Sequence, residues 1–547
     1  MATAPQGSRS RAPVFRSPQM LPIVGHLLDV LYLEHTPFRI YTVTALLLLF
    51  AGITVRTLLK AALSIQAYII NAKRLRCFPE PPRSNWIFGH LGKFLPNEEG
   101  LEEVSRQVST FTYYIKTWMG PITPLVSLIH PETIKPVVAA PAAIAPKDPL
   151  FYGFLRPWLG DGLLLSEGQK WARHRRLLTP AFHFDILKQY VKIFNQSTGI
   201  MHAKWRRLCV DGPVSLDMFE HISLMTLDTL LKCTFSYDSD CQETPSEYIA
   251  AIYDLSNLIT QREQSLHHYF DFIYRFSSNG RKFYRACRIV HEFTANVVKL
   301  RKKALQEKGE ENWIKSKQGK TKDFIDIILL SKDEHGHSLS DEEIKDEVDT
   351  FMFEGHDTTA SGLSWILFNL ASHPEYQEKC REEIKELLRG ETTHLEWDDL
   401  SQMPFTTMCI KESLRLHPPV TAVSRQCTED ITMPDGKVIP KGNISLISIY
   451  GAHHNPAVWP NPKVYDPYRF DPDSNKERAS HAFVPFAAGP RNCIGQNFAM
   501  AEMKVVLALT LLNFKVTLDP NKSVRRQPQL ILRAEGGLWL QVEALKH

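Results

Sequence analysis

The sequence predicts a mainly α-helical protein with small β-sheets, placed behind an N-terminal transmembrane helix. Helical patterns dominate the 547-residue chain and lie at 166–178, 182–208, 213–235, 245–274, 281–307, 341–372, 374–388, 404–416 and 495–513. Strand patterns are fewer and shorter, at 124–128, 420–427, 444–449 and 531–545. One uncharged apolar run near the N-terminus supplies the membrane segment.

The first element is that apolar run, IYTVTALLLLFAGITV, which lies at 40–55 between Arg39 and Arg56. A membrane span takes about 20 apolar residues, and residues 57–59 extend the run if Arg56 reaches the membrane surface. No small-residue cleavage site follows, so we expect an uncleaved anchor rather than a removed signal peptide or a buried core helix. Basic residues concentrate after the run, which places everything beyond residue 60 in the cytosol.

These features divide the chain into four segments. We expect a luminal segment (1–37), a transmembrane anchor (38–59), a basic and proline-rich hinge (60–83) and a large globular domain (84–547). Three prolines, at positions 79, 81 and 82, make the hinge stiff and keep it out of a helix. Residues 1–19 are polar, basic and proline-rich, so both Met1 and Met20 are candidate starts.

Bulk composition excludes several classes of protein. With 44% apolar and 23% charged residues, the chain is not globally disordered. A net charge of +4 is small beside 64 basic and 60 acidic residues, and it gives no case for nucleic acid binding. The nine cysteines are odd in number and scattered, without a CxxC pair, so we expect reduced thiols in a reducing compartment.

One cysteine differs from the others in its surroundings. Cys493 lies in a loop rich in glycine and proline, immediately before an amphipathic helix. The partial positive charge and free N–H groups of a helix N-terminus favour a thiolate there. Gly489 and Gly495 allow tight turns, and Arg491 is a cation that can hold a carboxylate. A lone cysteine is more often a small buried hydrophobe, but this setting favours a ligand.

The stretch FAAGPRNCIG matches the haem-binding signature of the cytochrome P-450 superfamily at all five fixed positions: Phe486, Gly489, Arg491, Cys493 and Gly495. The chain resembles this superfamily over roughly residues 79–545. The resemblance implies a haem-thiolate monooxygenase fold for the domain 84–547. It also implies a haem b cofactor, bound by Phe486, Gly489 and Arg491, with Cys493 as the axial ligand of the iron. A thiolate ligand pushes electron density onto iron and favours O–O cleavage.

Further motifs of the superfamily occur in the same order. KESLR and DPYRF resemble the structural Glu-Arg-Arg cluster and supply Glu412, Arg415 and Arg469, although Tyr468 replaces the commoner Glu. Taken alone, Glu412 and Arg415 would be an i,i+3 surface pair that contributes little. The motif WARHR implies that Trp171 and Arg175 hold a haem propionate, and AVSRQC implies the same for Arg425.

The middle of the helix 341–372 carries an unusual polar stripe in FMFEGHDTTASG. Glu354, Asp357, Thr358 and Ser361 share one helix face, which is either a solvated surface or a functional face inside the protein. The segment resembles the oxygen-activating helix of the superfamily, which crosses the distal face of the haem. In that comparison Asp357 and Thr358 relay protons to dioxygen, because a carboxyl and a hydroxyl exchange protons within hydrogen-bond reach.

Glu354 stands where most of the superfamily has alanine. A carboxylate at that depth without a cation is costly. The fatty-acid omega-hydroxylases of family 4 have glutamate at this place, where it forms an ester with a methyl carbon of the haem. The resemblance therefore implies a haem that is covalently attached through Glu354, and an ester removes the cost of burying the charge.

Longer stretches, among them HRRLLTPAFHFDIL and PVTAVSRQCTEDI, resemble subfamily F of family 4. The segment 142–176 is most similar to members that omega-hydroxylate ultra-long-chain fatty acids for skin acylceramide. Leukotriene B4 and medium- or long-chain fatty acids are the alternative substrates. Attack on the chain end alone requires a narrow apolar channel. Candidate channel residues are Phe151, Phe154, Trp158, Leu538 and Trp539.

The chain carries no GxGxxG fingerprint for a flavin or nicotinamide, so a separate electron donor is expected. The resemblance implies NADPH–cytochrome reductase, docked near Cys493, and a single-pass protein of the endoplasmic reticulum membrane whose catalytic domain is cytosolic. Two other classes remain open. One is a haem-thiolate isomerase or peroxide-using enzyme that needs no reductase, and the other is a non-catalytic haem sensor or lipid-binding protein.

Overall fold

The computed structural model describes residues 22–31, 34, 36–244, 246–309, 312–313, 323–389, 394–474, 476 and 478–546. The alternative starts Met1 and Met20 and the polar segment 1–19 lie outside these residues. The chain separates into two compact units, with the boundary between Lys73 and Arg74.

The first unit contains helices α1 (Pro22–Val30) and α2 (Pro37–Arg74). Within the described residues, one helix is long and apolar enough to cross a membrane, and its most apolar window is not buried by protein. This agrees with membrane anchoring. Helix α2 continues through residues 60–74, which the sequence assigns to the hinge. The reason is local: no proline or glycine lies between residues 53 and 77 to end the helix.

The second unit is mostly helical, as the sequence predicts. Its α-helices are α3 (Glu98–Thr110), α4 (Pro131–Val138), α5 (Phe151–Leu159), α6 (Gly168–Leu178), α7 (Phe184–Leu208), α8 (Met218–Phe235), α9 (Glu247–Glu263), α10 (Asp271–Phe276), α11 (Ser278–Lys308), α12 (Phe324–Leu330), α13 (Asp341–Ser372), α14 (Pro374–Leu388), α15 (Pro404–Leu416), α16 (Ile449–His453) and α17 (Gln496–Asn513). Single 3-10 turns lie at Leu75–Cys77, Thr179–Phe182, Leu266–Tyr269, Asp398–Ser401 and Pro467–Phe470.

The strands form small sheets at the edges of the helical body. They are β1 (Tyr114–Met119), β2 (Thr123–Leu128), β3 (Val214–Asp217), β4 (Ala422–Gln426), β5 (Ile431–Thr432), β6 (Val438–Ile439), β7 (Ile444–Ser448), β8 (Phe514–Leu518), β9 (Arg526–Pro528), β10 (Leu532–Ala534) and β11 (Trp539–Ala544). The largest sheet has the order β1-β2-β7-β4, in which β2 and β7 are parallel and the other pairs are antiparallel. The others have the orders β3-β11-β8, β10-β9 and β5-β6.

Helix α13 is the central element of the second unit. It begins with a capping box, in which Ser340 Oγ accepts from the Glu343 N–H at 3.2 Å and Glu343 Oε2 accepts from the Ser340 N–H at 2.8 Å. It contacts α8, α11, α15 and α17 along its length. Most of its side chains are buried on every face, so its polar residues lie in the protein interior rather than on a solvated surface.

Candidate active site

The second unit encloses a large cavity of about 570 Å³. Its walls come from elements that are distant in sequence: helix α13, the loop before α17, helix α5 and strands of the largest sheet. Of the residues singled out in the sequence, those that line it are Phe151, Trp171, Arg175, Glu354, Thr358, Phe486, Arg491, Cys493 and Gly495. Helix α13 and the cysteine loop thus meet at one site.

The cysteine loop has a tightly determined backbone. The N–H of Cys493 donates to the carbonyl of Phe486 at 2.9 Å, and the N–H of Asn492 donates to the carbonyl of Gly489 at 3.1 Å. Gly489 has φ +74°, and a Cβ there would lie 1.8 Å from the carbonyl oxygen of Val138. Only glycine fits that position. Gly495 has φ −87°, and the atoms nearest to a Cβ there would lie 3.9 Å away, so this position does not require glycine.

Cys493 lies three residues before the first residue of α17 and faces the cavity. Burial in a weakly polar environment raises the pKa of its thiol to about 11, and the nearby Glu354 adds to the rise. The Gly495 N–H and the charge of Arg175 lower this pKa, but by less than burial raises it. Without a metal ion, burial therefore opposes the thiolate that the helix N-terminus is expected to favour. A coordinated metal ion deprotonates such a thiol outright.

Two arginines and a tryptophan surround the loop as the sequence suggests. The Arg491 guanidinium lies 4.4 Å above the ring of Trp171, and its Nη2 donates to the carbonyl of Ser166 at 2.6 Å. Its Nε and Nη1 are buried and have no partner within the described residues. Arg175 donates to the backbone and side-chain oxygens of Asn492 at 2.8 and 2.9 Å. Arg491 thus keeps two donors for an anionic group.

Two more cations lie close by. Arg425 is buried, and its Nη1 donates to the carbonyl of Ser424 at 2.9 Å. Lys147 lines the cavity and donates to the hydroxyl of Tyr152 at 2.8 Å. Burial, followed by the charges of Arg425 and Arg491, lowers the pKa of Lys147 well below its usual value. No motif around Lys147 identifies it in the sequence. This excess of positive charge fits the carboxylates of a haem, so the residues present match that group.

The polar stripe of α13 divides between two environments. Glu354 and Thr358 line the cavity, and the Thr358 hydroxyl donates to the backbone carbonyl of Glu354 at 2.8 Å. Asp357 instead pairs with Arg533, whose Nη2 lies 2.5 Å from Oδ1, and Asp357 is not among the cavity-lining residues. Ser361 donates to the carbonyl of Leu532 at 2.6 Å. The four residues share a face, but only half of that face points into the cavity.

The carboxyl of Glu354 has no hydrogen-bond or ion-pair partner in the part of the chain that the structure describes. Burial raises its pKa to about 7, although the charge of Lys147 works against the rise. Gly355, beside it, packs closely under Leu230, because a Cβ there would lie 2.6 Å from the end of that side chain, which would have to move. A carboxyl without a partner among the described residues therefore lines the cavity.

The three residues of the expected structural cluster come together in the interior. Arg415 donates to both oxygens of Glu412 at 2.7 and 2.6 Å, and Arg469 Nε lies 3.4 Å from Glu412 Oε1. Neither Glu412 nor Arg415 is exposed, so the pair is not a surface pair. Arg415 also donates to the carbonyls of His453, Pro462 and Val464 and so ties α15 to the segment that leads to the cysteine loop.

Most of the expected channel residues do not line the cavity. Phe151 does, whereas Phe154 stacks on Arg262 at 4.3 Å and Trp158 packs behind Phe353 at 4.4 Å. Leu538 is fully buried in the core, and Trp539 donates to the carbonyl of Gly536. In α5, residues 151, 152 and 155 line the cavity, whereas 154 and 158 pack against other side chains of the core.

Comparison with known proteins agrees with this geometry. The cytochrome P450 family model matches residues 79–541. The chain belongs to the cytochrome P450 family. It is 63% identical over 527 residues to the ultra-long-chain fatty acid omega-hydroxylase of Homo sapiens, covering 96% of this chain and 99% of that protein. It is 62% identical to cytochrome P450 4F2 of Homo sapiens over 88% of this chain and 92% of that protein. It is 60% identical to leukotriene-B4 omega-hydroxylase 3 of Mus musculus over 89% of this chain and 93% of that protein.

Membership makes this cytochrome P450 a haem-iron enzyme of the monooxygenase type. Its cavity has the single thiol, the unpaired guanidinium donors and the tight glycine turn that a haem requires. The haem supplies oxygen activation when bound, and the chain supplies its ligand, its counter-charges and the walls. Lys147 and Arg533 are residues near this site that motif reading missed: no motif surrounds Lys147, and Arg533 pairs with Asp357, which is 176 residues away in sequence.

Proposed function

We propose that this cytochrome P450 omega-hydroxylates ultra-long-chain fatty acids and serves the synthesis of acylceramide for the skin barrier. The observation that carries the proposal is the 63% identity, over nearly the whole chain, to a protein named for that activity. The cavity supports it, because its walls are mostly aliphatic and aromatic and it is large enough for a chain end beside a cofactor.

A second candidate is omega-hydroxylation of leukotriene B4 or of medium- and long-chain fatty acids. A leukotriene-B4 omega-hydroxylase is 60% identical to this chain, so sequence identity favours the ultra-long-chain substrate only slightly over leukotriene B4. An isomerase or peroxide-using enzyme is less well supported, because an acid and an alcohol, Asp357 and Thr358, are both present on α13.

The cofactor in this proposal is haem b, held by Cys493 and attached through an ester to Glu354. The carboxyl of Glu354 is unpaired and faces the cavity, and its pKa near 7 provides both the acid and the carboxylate at neutral pH. An ester fixes the cofactor relative to α13. A fixed cofactor helps a narrow channel to present only the terminal carbon, whose C–H bonds are the strongest in the chain.

Proton delivery in this proposal divides between two residues. The Thr358 hydroxyl lines the cavity and is within reach of a substrate or water there. Asp357 lies behind it, in the ion pair with Arg533, and is the second residue of the relay. The remaining oxygen of Asp357, Oδ2, has no partner within the described residues and is free to bind a water.

Electrons come, in this proposal, from NADPH–cytochrome reductase. A second cavity of about 320 Å³, lined by Arg175, His183 and Asn492 among others, reaches Cys493 and would lie beneath the docked reductase. Helix α2 anchors the protein in the endoplasmic reticulum membrane as a single-pass protein with its catalytic domain in the cytosol. Membrane lipid then delivers the acyl chain directly to the enzyme.

A chain-length series tests the substrate. The protein is expressed in microsomes with the reductase, supplied with fatty acids from medium to ultra-long length and with leukotriene B4, and the hydroxylated carbon is identified by mass spectrometry. Terminal hydroxylation that increases toward the longest chains supports the proposal. Preference for leukotriene B4 or shorter acids would favour the second candidate, and the absence of any oxygenated product would contradict both.

A further inference from the structure

Helix α9 ends at a carboxyl group that opens into the cavity. Glu263 is the last residue of α9, and it lines the cavity together with Thr260 and Gln264. Its side chain is half-buried. None of the motifs that identify the haem site includes this residue.

The neighbours of Glu263 on this wall have their hydrogen bonds satisfied. The Thr260 hydroxyl donates to the carbonyl of Ser256 at 2.9 Å, and the Gln264 side-chain amide donates to the carbonyl of Phe94 at 3.5 Å. Tyr269 donates to the backbone oxygen of Glu263 at 2.8 Å, not to its carboxyl. Within the described residues the Glu263 carboxyl has no hydrogen-bond or ion-pair partner. It is the polar group on this wall that remains available to a ligand.

The protonation state of this group decides what it can bind. Burial, and then the negative charge of Asp148, raises the pKa of Glu263 to about 8. At neutral pH the side chain is therefore mostly a carboxylic acid, with one O–H donor and remaining acceptor capacity. A wall that contacts only hydrocarbon has no use for a polar side chain, so an unpaired carboxyl at this position indicates contact with a polar ligand.

The geometry points to Glu263 as a specificity-determining residue whose carboxyl donates a hydrogen bond to an oxygen atom of the bound acyl substrate. This inference rests on the proposed fatty-acid activity, but it depends neither on chain length nor on the ester at Glu354. The oxygen can come from two sources, a hydroxyl or epoxide within the chain or the terminal carboxyl of the substrate. Both present an acceptor to the O–H of Glu263, and a saturated methylene segment does not.

Binding to the haem-loaded protein tests the inference without turnover. Wild type, Glu263→Leu and Glu263→Gln are titrated, by the shift of the haem absorption band, with three ligands of equal length: an alkane, a saturated fatty acid and a fatty acid with one hydroxyl in its chain. We expect Glu263→Leu to weaken binding of an oxygen-bearing ligand about five- to tenfold relative to the alkane, the effect of one lost hydrogen bond. Glu263→Gln keeps a donor and should bind all three ligands like the wild type.

The pattern across ligands identifies the source of the oxygen. Weaker binding of the hydroxy acid alone indicates an in-chain oxygen, and weaker binding of both acids indicates the terminal carboxyl. Thr260→Val is the matched control, since it changes the same wall but removes a hydroxyl whose bond is to Ser256. The control should leave the ratio of acid to alkane affinities unchanged. If Glu263→Leu changes all three affinities by the same factor, or changes none, the inference is overturned.

A second variant allows the test to be made if Glu263→Leu does not fold. Glu263→Met keeps the length and flexibility of the side chain without a donor, and it should give the same selective loss as leucine. A failure of the chain-length series would leave this experiment interpretable, because it measures affinities and not products. Conversely, an equal loss of affinity for all three ligands would overturn the inference about Glu263 without contradicting the proposed omega-hydroxylation.

Discussion

Arg533 and Asp357 form a buried ion pair, with the arginine Nη2 2.5 Å from the aspartate Oδ1, although 176 residues separate them along the chain. The pair joins strand β10 to the middle of helix α13. Arg533 also stacks 3.9 Å from the ring of Tyr253, so its position is set from several sides. The aspartate of helix α13 is therefore held by the C-terminal strands and does not line the cavity.

Loss of the arginine should destabilise the protein more than loss of both charges. Arg533→Met leaves Asp357 buried without a cation, and we expect the free energy of unfolding to fall by about 3–5 kcal/mol. Adding Asp357→Asn to that variant removes the stranded charge and should restore most of the loss. Urea unfolding of the haem-loaded protein measures both. A single variant within about 1 kcal/mol of wild type would show that the pair does not stabilise the fold.

Substitution of Glu354 should release the haem from the chain without emptying the site. In Glu354→Gln the amide cannot form the ester, while Cys493 and the surrounding cations still bind the cofactor. Acidified organic solvent should then extract all of the haem, and the intact mass should fall by that of the haem. Thr358→Ala is the control, because it alters the same cavity face and keeps the carboxyl. Complete extraction from the wild type would contradict the ester.

Gly489→Ala should prevent formation of the cysteine loop. The new Cβ would lie 1.8 Å from the Val138 carbonyl oxygen, on a backbone with φ +74°. Gly442→Ala is the matched control, because its φ is +81° and nothing lies within 4 Å of its Cβ position, so it carries only the backbone strain. That strain costs about 1–2 kcal/mol. We expect normal haem content in the control and little in Gly489→Ala, measured by the reduced carbon monoxide spectrum; equal spectra would contradict the steric argument.

Two phenylalanines of helix α5 should have different effects. Phe151 lines the cavity, so Phe151→Ala should widen it and increase hydroxylation at carbons next to the terminal one. Phe154 is buried against Arg262 and Tyr269, so Phe154→Ala should lower the free energy of unfolding by about 3–5 kcal/mol and leave the product ratio nearly unchanged. Product analysis and urea unfolding of both variants distinguish the two roles. A changed product ratio in Phe154→Ala alone would reverse the assignment.

Much of the helical framework could be predicted from local signals. The capping box at Ser340 and Glu343 and the proline at 374 set the ends of α13 at the residues that the structure shows. The C-terminal end of α2 is not predicted by the apolar run, because the helix continues beyond the residues where that run ends. Residues 60–74 contain no proline or glycine that would stop the helix.

Short motifs predict the cytochrome P450 family, the glycine turn and the members of the Glu-Arg-Arg cluster, and they give Cys493 as the expected iron ligand, because residue types at fixed short spacings carry each of these features. Packing in three dimensions sets which side of a helix faces the cavity, and so separates Glu354 from Asp357 and Phe151 from Phe154. It also brought Lys147, Glu263 and Arg533 to the site. The physical reason is that burial and charge pairing depend on the segments packed opposite a residue, and local spacing does not contain that information.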